Sequence, residues 1–474
     1  MKKYQIFCIS ARRANSLSFT DEELEQIHFI TNEPYPVPHN TIGGGLIDSR
    51  NLALEMAFDA GLNCVQISDD LVNIKRVVRG KTGPLVSLLS AVESLQSFAE
   101  KTSANLVGTP PTHNPLFCSK PYAKNKFIIG DAFLTKPSRP RFDSNLKLKE
   151  DYDFTAQHLK DKGTARLQTM VWQFRHYSNK GGAVAYRNDE EEARAVYYLM
   201  NKWPGTFRLN PKRNNEIILM KQLELTPVEH NIKVGGVCPD LEPNVTEDCI
   251  FTDAGRPIGF YLRQLPEKMS KVADLADHEL RSKRVPKSEM RRSSGLREES
   301  LEVRQYSTII GSVPPKPHMR RSYITRSSVH SHKSAQTFIK AMNMLCKMSE
   351  DLIEQLAPTL HAAQVEAMKD VPQKWRFGNL FTSSISNYNI SASFHTDTRN
   401  VIGSYNVIMT KRNNSKGGCL HVPDYNATFE QRDNSMLVYP AWRNMHGVTP
   451  IIPTHEGGYR NSLIFYSLKA FIDG

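Results

Sequence analysis

From Trp375 to Leu468 the chain is a series of short β-like runs broken by Gly-Gly, Asn-Asn and Pro. Runs of that length and spacing confine this part to an all-β sandwich or jelly roll (a double-stranded β-helix). A long helical pattern, AQTFIKAMNMLCKMSEDLIEQLAP, fills Ser334 to Met368 just before it and is expected to break ahead of Pro358 and pack on the β-domain. Further upstream the pattern changes. Between Tyr4 and about Thr226, apolar runs such as QIFCIS and CVQIS alternate with helical stretches such as RNLALEMAFDAG and EEARAVYYLMNKW. That alternation predicts an α/β, Rossmann-like domain. Three regions follow: an α/β domain over 1–230, a polar, basic linker and lead-in segment over 231–333, and the helix-packed jelly roll over 334–474. Within the middle region, FTDAGRPIGFYLRQL still reads as an ordered strand entering the last domain.

Composition excludes several classes. With 39% hydrophobic and 23% charged residues, the chain buries cores, so it is not a collagen, a rod or a disordered polymer. No stretch approaches the roughly 20 apolar residues of a membrane span, and the apolar run in MKKYQIFCIS is too short for a signal peptide and reads as a buried strand. The seven cysteines form no CxxC pair, which argues against a zinc ribbon or disulfide framework and for an intracellular, reducing compartment. A formal net charge of +12 favours a polyanionic partner, nucleic acid first. Leu265 to Ser334 alone carries 15 Lys or Arg against 8 Asp or Glu. Arg320, Arg321 and Arg326 around Tyr323 are the first candidates for phosphate contact, against the alternative of a solvated linker.

The tail carries the sharpest chemistry. In order it reads FHTDTRN (Phe394 to Asn400), GGCLHVPDY (Gly417 to Tyr425), HGVTPI (His446 to Ile451) and GYRNSLIFYS (Gly458 to Ser467). Alternate strand residues share a face, so an HxD pair on a strand would turn His395 and Asp397 toward one ion. His446, about fifty residues on, would arrive on a returning strand. Two His and one carboxylate with an open opposite face form the ligand set of non-haem Fe(II) oxygenases. Among 15 His, roughly one HxD is expected by chance, so the order HxD, HG and then Arg460 fourteen positions later carries the weight. Arg460 supplies what His and Asp do not, a bidentate cation for the far carboxylate of a dicarboxylate such as 2-oxoglutarate.

At these residues the tail resembles the TET/JBP family of DNA pyrimidine-methyl dioxygenases. The likeness runs from about Asn244 to the end and rests on His395, Asp397 and Asn400, on Gly417, Gly418, Leu420 and Pro423, on HGVTP, and on Arg460 with Ser462. It implies Fe(II), 2-oxoglutarate and O2, with oxidation of a methyl group on 5-methylcytosine or thymine in DNA. By position His395, Asp397 and His446 would hold iron, and Arg460, Ser462 and Asn400 would bind 2-oxoglutarate. A base inside a duplex must leave the stack to be oxidised, at a cost of a few kcal/mol that phosphate contacts and stacking must offset.

In the N-terminal region the informative text is TIGGGLIDSRNLALEMAFDAGLNCVQISDDL, Thr41 to Leu71. A glycine run admits close backbone approach to a ligand. A helix should open near Asp48 or Ser49, and the strand CVQIS delivers Asp69 and Asp70 at its carboxyl end, where α/β sheets place ligands. Paired carboxylates there suit Mn²⁺ or Mg²⁺ bridging a diphosphate. This order resembles GT-A glycosyltransferases, and more closely the TET/JBP-associated, base J glucosyltransferase-like enzymes. The likeness rests on Ser49-Arg50-Asn51, Ser68-Asp69-Asp70, Arg141 to Thr155 and Lys180 to Arg187. It implies a nucleotide-sugar donor, a UDP-sugar, near Arg50 and Asn51, a metal on Asp69 and Asp70, and an acidic base. Glu150 and Asp151 are the candidates for that base, with Asp153 as rival. His176 is a further metal-ligand candidate, weighed against a structural role.

The two halves form a sequence of reactions: a dioxygenase makes a hydroxymethylpyrimidine, and a glycosyltransferase caps its hydroxyl. The alternatives are a TET/JBP-like dioxygenase with a non-catalytic N-terminal binding module, a dioxygenase acting on RNA or protein, and a DNA-binding regulator without turnover.

Overall fold

The computed structural model describes residues 3–11, 18–118, 120–175, 187–287, 289–291, 305–317 and 320–472. The chain divides into two compact units, one formed by 1–203 with 215–219, the other by 204–214 with 220–474.

In the first unit, β1 (Tyr4–Ser10), β2 (Ile27–Thr31), β3 (Asn40–Ile42) and β4 (Asn63–Ser68) lie parallel. They are joined by α1 (Asp21–Gln26) and α2 (Leu46–Asp59). A hairpin, β5 (Leu71–Val78) and β6 (Lys81–Val86), precedes α3 (Leu88–Lys101). The rest comprises β7 (Leu106–Gly108), β8 (Tyr122–Lys124), β9 (Ala132–Thr135), α4 (Glu150–Asp161), β10 (Thr164–Leu167), β11 (Met170–Phe174) and α5 (Asp189–Lys202). The sheet order is β3-β2-β1-β4-β9-β7-β10-β8, with β9 antiparallel to both neighbours. Strand alternation builds a core on each face. Ile6, Cys8, Val65 and Ile67 pack with Leu88, Val92 and Leu95 of α3, while Phe7, Cys64 and Phe133 pack with Ala53, Leu54 and Phe154 of α2 and α4. The helix expected near Asp48 begins at Leu46 instead. Gly45 is its cap, and the Asp48 carboxylate reaches back to accept from the Gly45 N–H at 3.2 Å.

Two three-residue strands, β12 (Phe207–Leu209) and β13 (Ile217–Leu219), lie where the chain passes between units. The second unit then adds β14 (Lys221–Glu224), β15 (Cys249–Asp253), β16 (Arg256–Leu262), α6 (Glu267–Arg281), β17 (Glu289–Arg291), β18 (Gln305–Val313) and β19 (Thr325–Arg326). After α7 (Gln336–Leu356) and α8 (Pro358–Ala367) come β20 (Ser383–Tyr388), β21 (Ala392–His395), β22 (Asn406–Asn413), β23 (Ser415–Gly417), β24 (Leu420–Val422), β25 (Ala427–Phe429), β26 (Ser435–Tyr439), β27 (His446–Val448), β28 (Ile451–Pro453) and β29 (Tyr459–Tyr466). The large sheet runs β14-β15-β16-β26-β22-β29-β20-β18-β17 and the small one β21-β27-β24-β25.

The region read as a linker is therefore part of this sheet. Its one expected strand, FTDAGRPIGFYLRQL, is the β15–β16 hairpin, turned at Ala254 and Gly255, which both adopt positive φ. Charge on α6 and on the segments between strands masked strands that are themselves buried along most of their length. Between the two sheets lies an apolar core of Phe251, Tyr261, Ile408, Leu420, Val422, Phe429, Leu437 and Tyr439. On the other face of the large sheet, Phe465 stacks on Phe377 at 5.9 Å and meets Phe381 in a tilted contact at 5.8 Å.

Phe429 is fully buried, with Phe251 at 5.1 Å and Tyr261 at 6.4 Å between ring centres. Phe429→Ala should destabilise the second unit by about 3–5 kcal/mol, read as a lower denaturant midpoint. An unchanged midpoint would contradict the two-sheet core.

Candidate metal centre and co-substrate corner

β21 and β27 pair antiparallel with His395 directly opposite His446. The two imidazole centres stand 4.4 Å apart. Close approach here depends on Gly447, where a Cβ would lie 3.0 Å from both the Cys238 Cβ and the Phe394 ring. Asp397 differs from the expectation. β21 ends at His395, and Asp397 lies in the following turn, held by its N–H donating to the Ala441 carbonyl at 3.0 Å. The turn still brings its Oδ1 to 3.6 Å from His395 Nε2. Ligand atoms of His395, Asp397 and His446 all lie within 4.8 Å of one another, the only such group among the described residues.

Each imidazole is oriented for a metal. His395 Nδ1 meets the Ser393 carbonyl at 2.7 Å and His446 Nδ1 meets that of Asn444 at 3.1 Å. As donors, both Nδ1 atoms leave Nε2 with its lone pair. Burial, then the neighbouring His395, lower the His446 pKa, keeping that ring neutral. Asp397 Oδ2 accepts from Asn406 Nδ2 at 2.9 Å, and Asn406 Oδ1 accepts from Asn400 Nδ2 at 2.8 Å. Asn400 therefore stands behind the Asp397 carboxylate, with its amide turned toward Asn406. Asn406 was missed because a buried Asn inside SYNVIMT has no sequence signature.

Strand parity builds the second feature. On β29, Arg460, Ser462 and Ile464 face the inter-sheet core, opposite Arg412, Thr410 and Ile408 of β22. Gln431 Oε1 accepts from Thr410 Oγ1 and lies 3.5 Å from Arg460 Nη2. Arg460 Nε, Arg412 Nη2 and Gln431 Nε2 are buried donors without a hydrogen-bond partner. Burial, then Arg412, lower the Arg460 pKa to about 10. Orphaned donors around buried positive charge fit the far carboxylate of a 2-oxo dicarboxylate. Gly417 and Gly418 shape the adjoining loop, both at positive φ, and a Cβ on Gly417 would lie 2.0 Å from the Pro450 carbonyl oxygen.

The basic candidates separate. Arg326 donates to the Lys374 and Arg376 carbonyls at 2.7 and 3.1 Å, and Arg321 donates to the Pro314 carbonyl, so both tie loops down. Arg320 and Tyr323 are exposed.

In the first unit, Asp69 and Asp70 occupy the two-residue turn after β4. Asp69 is buried and accepts from Ser10 Oγ, while Asp70 Oδ1 accepts from Ser68 Oγ at 2.6 Å. Glu150 and Asp151 open α4. Glu150 pairs with Arg50 at 3.2 Å, and Asp151 Oδ2 accepts from the Gly130 N–H at 3.1 Å. Burial, then the Glu150 charge, push the Asp151 pKa up to about 7. Arg50 also donates to the Gly130 carbonyl at 3.1 Å, and Asn51 clamps the Phe142 backbone through both donor and acceptor, at 2.9 and 2.8 Å. Both side chains serve the fold here, Asn51 with its whole amide engaged. Asp153 is likewise engaged, by Gln157, Lys202 and Trp203. His176 and residues 180–186 lie outside the described residues. All seven cysteines are buried and free, and no described helix is long and apolar enough to cross a membrane.

Compared with known families, residues 311–469 match Tet_JBP, the oxygenase domain of the 2OGFeDO superfamily. No curated protein matches the chain. Similar solved structures include NgTET1 in complex with 5mC DNA, at 12% identity over 60% of this chain and 92% of that one, TM-score 0.36. A 2OG-Fe(II) oxygenase family oxidoreductase from Burkholderia pseudomallei is 12% identical over 42% and 81%, TM-score 0.26. OsALKBH1 is 14% identical over 45% and 99%, TM-score 0.27. The His-Asp-His cluster and the arginine corner both fall inside the matched segment, and residues 311–469 are a Tet_JBP-type oxygenase domain of the 2OGFeDO superfamily, with the Fe(II), 2-oxoglutarate and O2 requirement that this superfamily implies.

Proposed function

We propose that the second unit oxidises the methyl group of a pyrimidine in DNA, 5-methylcytosine or thymine, to hydroxymethyl. We propose further that the first unit transfers a sugar from a UDP-sugar to the new hydroxyl. The observation that carries the oxidation is the triad of His395, Asp397 and His446, together with a buried corner of unpartnered donors, all inside the Tet_JBP segment.

His395, Asp397 and His446 would hold iron, which when bound supplies the oxidising power for C–H cleavage. Asn406 holds the Asp397 carboxylate from behind. Arg460 would grip the far carboxylate of 2-oxoglutarate, with Ser462 one step along the same strand face. The side chains of His395 and Asp397 remain 42% and 32% exposed, so an extrahelical base has access from their side. The net charge of +12 favours the polyanionic substrate, and exposed Arg320 remains a candidate phosphate contact.

For the sugar transfer, Asp69 and Asp70 at the carboxyl end of β4 are where an α/β sheet presents ligand groups, and a donor diphosphate would complete the coordination of Mn²⁺ or Mg²⁺. Asp131 accepts from the Ser68 N–H at 2.8 Å, and its neighbour Gly130 donates to Asp151, so the candidate bases Glu150 and Asp151 reach the same strand end. A carboxyl poised near neutrality suits proton abstraction from an attacking hydroxyl.

Nucleoside mass spectrometry of methylated DNA, incubated with Fe(II) and 2-oxoglutarate and with or without UDP-sugars and Mn²⁺, tests both halves. A base heavier by one oxygen, gaining a sugar only with donor, is the expected result. Oxidation with every donor inert would leave the first unit a binding module, and no modified base would turn the search to RNA or protein. His395→Ala or Asp397→Ala should abolish oxidation yet leave sugar transfer onto hydroxymethylated DNA; normal oxidation would sink the iron assignment. Asp70→Ala should do the reverse, so unchanged glycosylation would remove its metal role. Asn406→Ala should weaken metal binding about 10–100-fold in a competition titration, and unaltered affinity would show that Asp397 needs no support.

A further inference from the structure

Arg412 and Arg460 face each other directly across β22 and β29, on the inner side of the large sheet. Like charges placed opposite one another across a strand pair repel, and burial magnifies the cost. Burial lowers the pKa of both guanidinium groups. Neither forms an ion pair with a carboxylate among the described residues. The contrast is Lys411, one residue away on the opposite face, which pairs with Asp274 at 2.6 Å and Asp433 at 2.8 Å. The fold thus neutralises its buried lysine by direct ion pairs and leaves the two facing arginines with no carboxylate in contact, Glu430 and Asp433 acting on Arg412 only from beyond ion-pair distance.

The unpartnered atoms are of one kind. Arg412 spends Nη1 on the Gly417 and Gln431 carbonyls at 3.0 and 2.8 Å and Nε on Ser415 Oγ at 3.3 Å, which fixes the plane of its guanidinium and leaves Nη2 over. Arg460 keeps Nε over, and Gln431, whose Oε1 is held by Thr410, keeps Nε2 over. Each leftover atom is a donor, and the missing partner is an acceptor carrying negative charge.

We propose that Arg412 is a second cation of the 2-oxoglutarate site, so that the distal carboxylate is held by Arg412 and Arg460 together, with Gln431 as a third donor. The proposal deepens the co-substrate reading above and rests on it. Two guanidiniums on one carboxylate make the site select a dicarboxylate over a 2-oxo monocarboxylate, because the shorter acid leaves both charges buried without a counter-ion.

The test is calorimetric binding of 2-oxoglutarate and of 2-oxobutanoate to the Ni(II)-loaded full-length protein. Arg412→Met should weaken 2-oxoglutarate binding by at least about tenfold and leave 2-oxobutanoate binding unchanged. Gln431→Glu, which aims a carboxylate at the same point, should do likewise, and it decides the matter should Arg412→Met fail to fold. Unchanged 2-oxoglutarate affinity in a folded variant, or equal loss of both acids, overturns the role of Arg412. Arg460→Met separates the two layers: if it loses the dicarboxylate while Arg412→Met does not, only this inference fails. If the unaltered protein binds no 2-oxoglutarate with metal present, the co-substrate reading itself fails and takes this inference with it.

Discussion

A pleated strand sends alternate side chains to opposite faces, and the second unit depends on that constraint at β29. Tyr459 and Asn461 point outward to Asp277 of α6, which accepts from the Tyr459 hydroxyl at 2.7 Å and from the Asn461 amide. Arg281 closes the cluster with its Nε 3.1 Å from the same carboxylate. These outer contacts pin the register, because a one-residue slip would bury apolar Leu463 where Ser462 now lies and turn Arg460 to the helices. The position of Arg460 in the core between the sheets is therefore set from outside it. The same logic places the two histidines, since the pairing of β21 with β27 makes His395 and His446 neighbours without any contact between their side chains being needed to hold them.

How much of this was legible follows from where the information resides. His395, Asp397, His446 and Arg460 could be singled out because they stand in an order that chance seldom produces, and the first three do come within 4.8 Å of one another. The strand extent was not: the HxD spacing suggested a continuous strand, but the backbone turns after His395 and Asp397 reaches the site from the turn. Arg412, Gln431 and Asn406 were invisible because their roles arise from cross-strand register, which a single sequence does not state. The middle region was misread for a related reason. Most of its Lys and Arg sit on α6 and in the segments between strands, while β15, β16 and β18 are largely buried, so composition suggested a linker where pairing makes a sheet.

The first unit shows how a motif and its environment differ. The sequence order of Arg50, Asn51, Asp69, Asp70, Glu150 and Asp151 is compatible with ligand binding at a strand end, and the fold does gather the acids toward the end of β4. It also engages several of them with each other. Arg50 balances Glu150, Asn51 fixes the loop at Phe142, and Asp151 is pushed toward neutrality by burial and by Glu150. A buried carboxyl pair with a single guanidinium carries one negative charge more than it can pair, so it either holds a proton or awaits a cation. Motif order and resemblance pointed to these residues, and burial decides which of them have capacity left.

Unspent hydrogen-bonding capacity is the more general guide to function in this molecule. Buried polar groups in a fold are normally satisfied, and most here are: Glu350, buried on α7, accepts from the backbone N–H groups of Asn379 and Leu380 at 2.7 and 2.9 Å and from the Asn379 amide at 3.0 Å. Where burial and satisfaction part company, the sign of the leftover atoms states the chemistry of what is absent. At Arg460, Arg412 and Gln431 the leftover atoms are donors, which fits an anion. Around His395 and His446 both Nδ1 atoms meet backbone carbonyls and the remainder is lone pair, which calls for a metal. These two complementary deficits lie within one jelly-roll segment, and a 2-oxo dicarboxylate, which offers a chelating end to a metal and a second carboxylate to a cation, answers both at once.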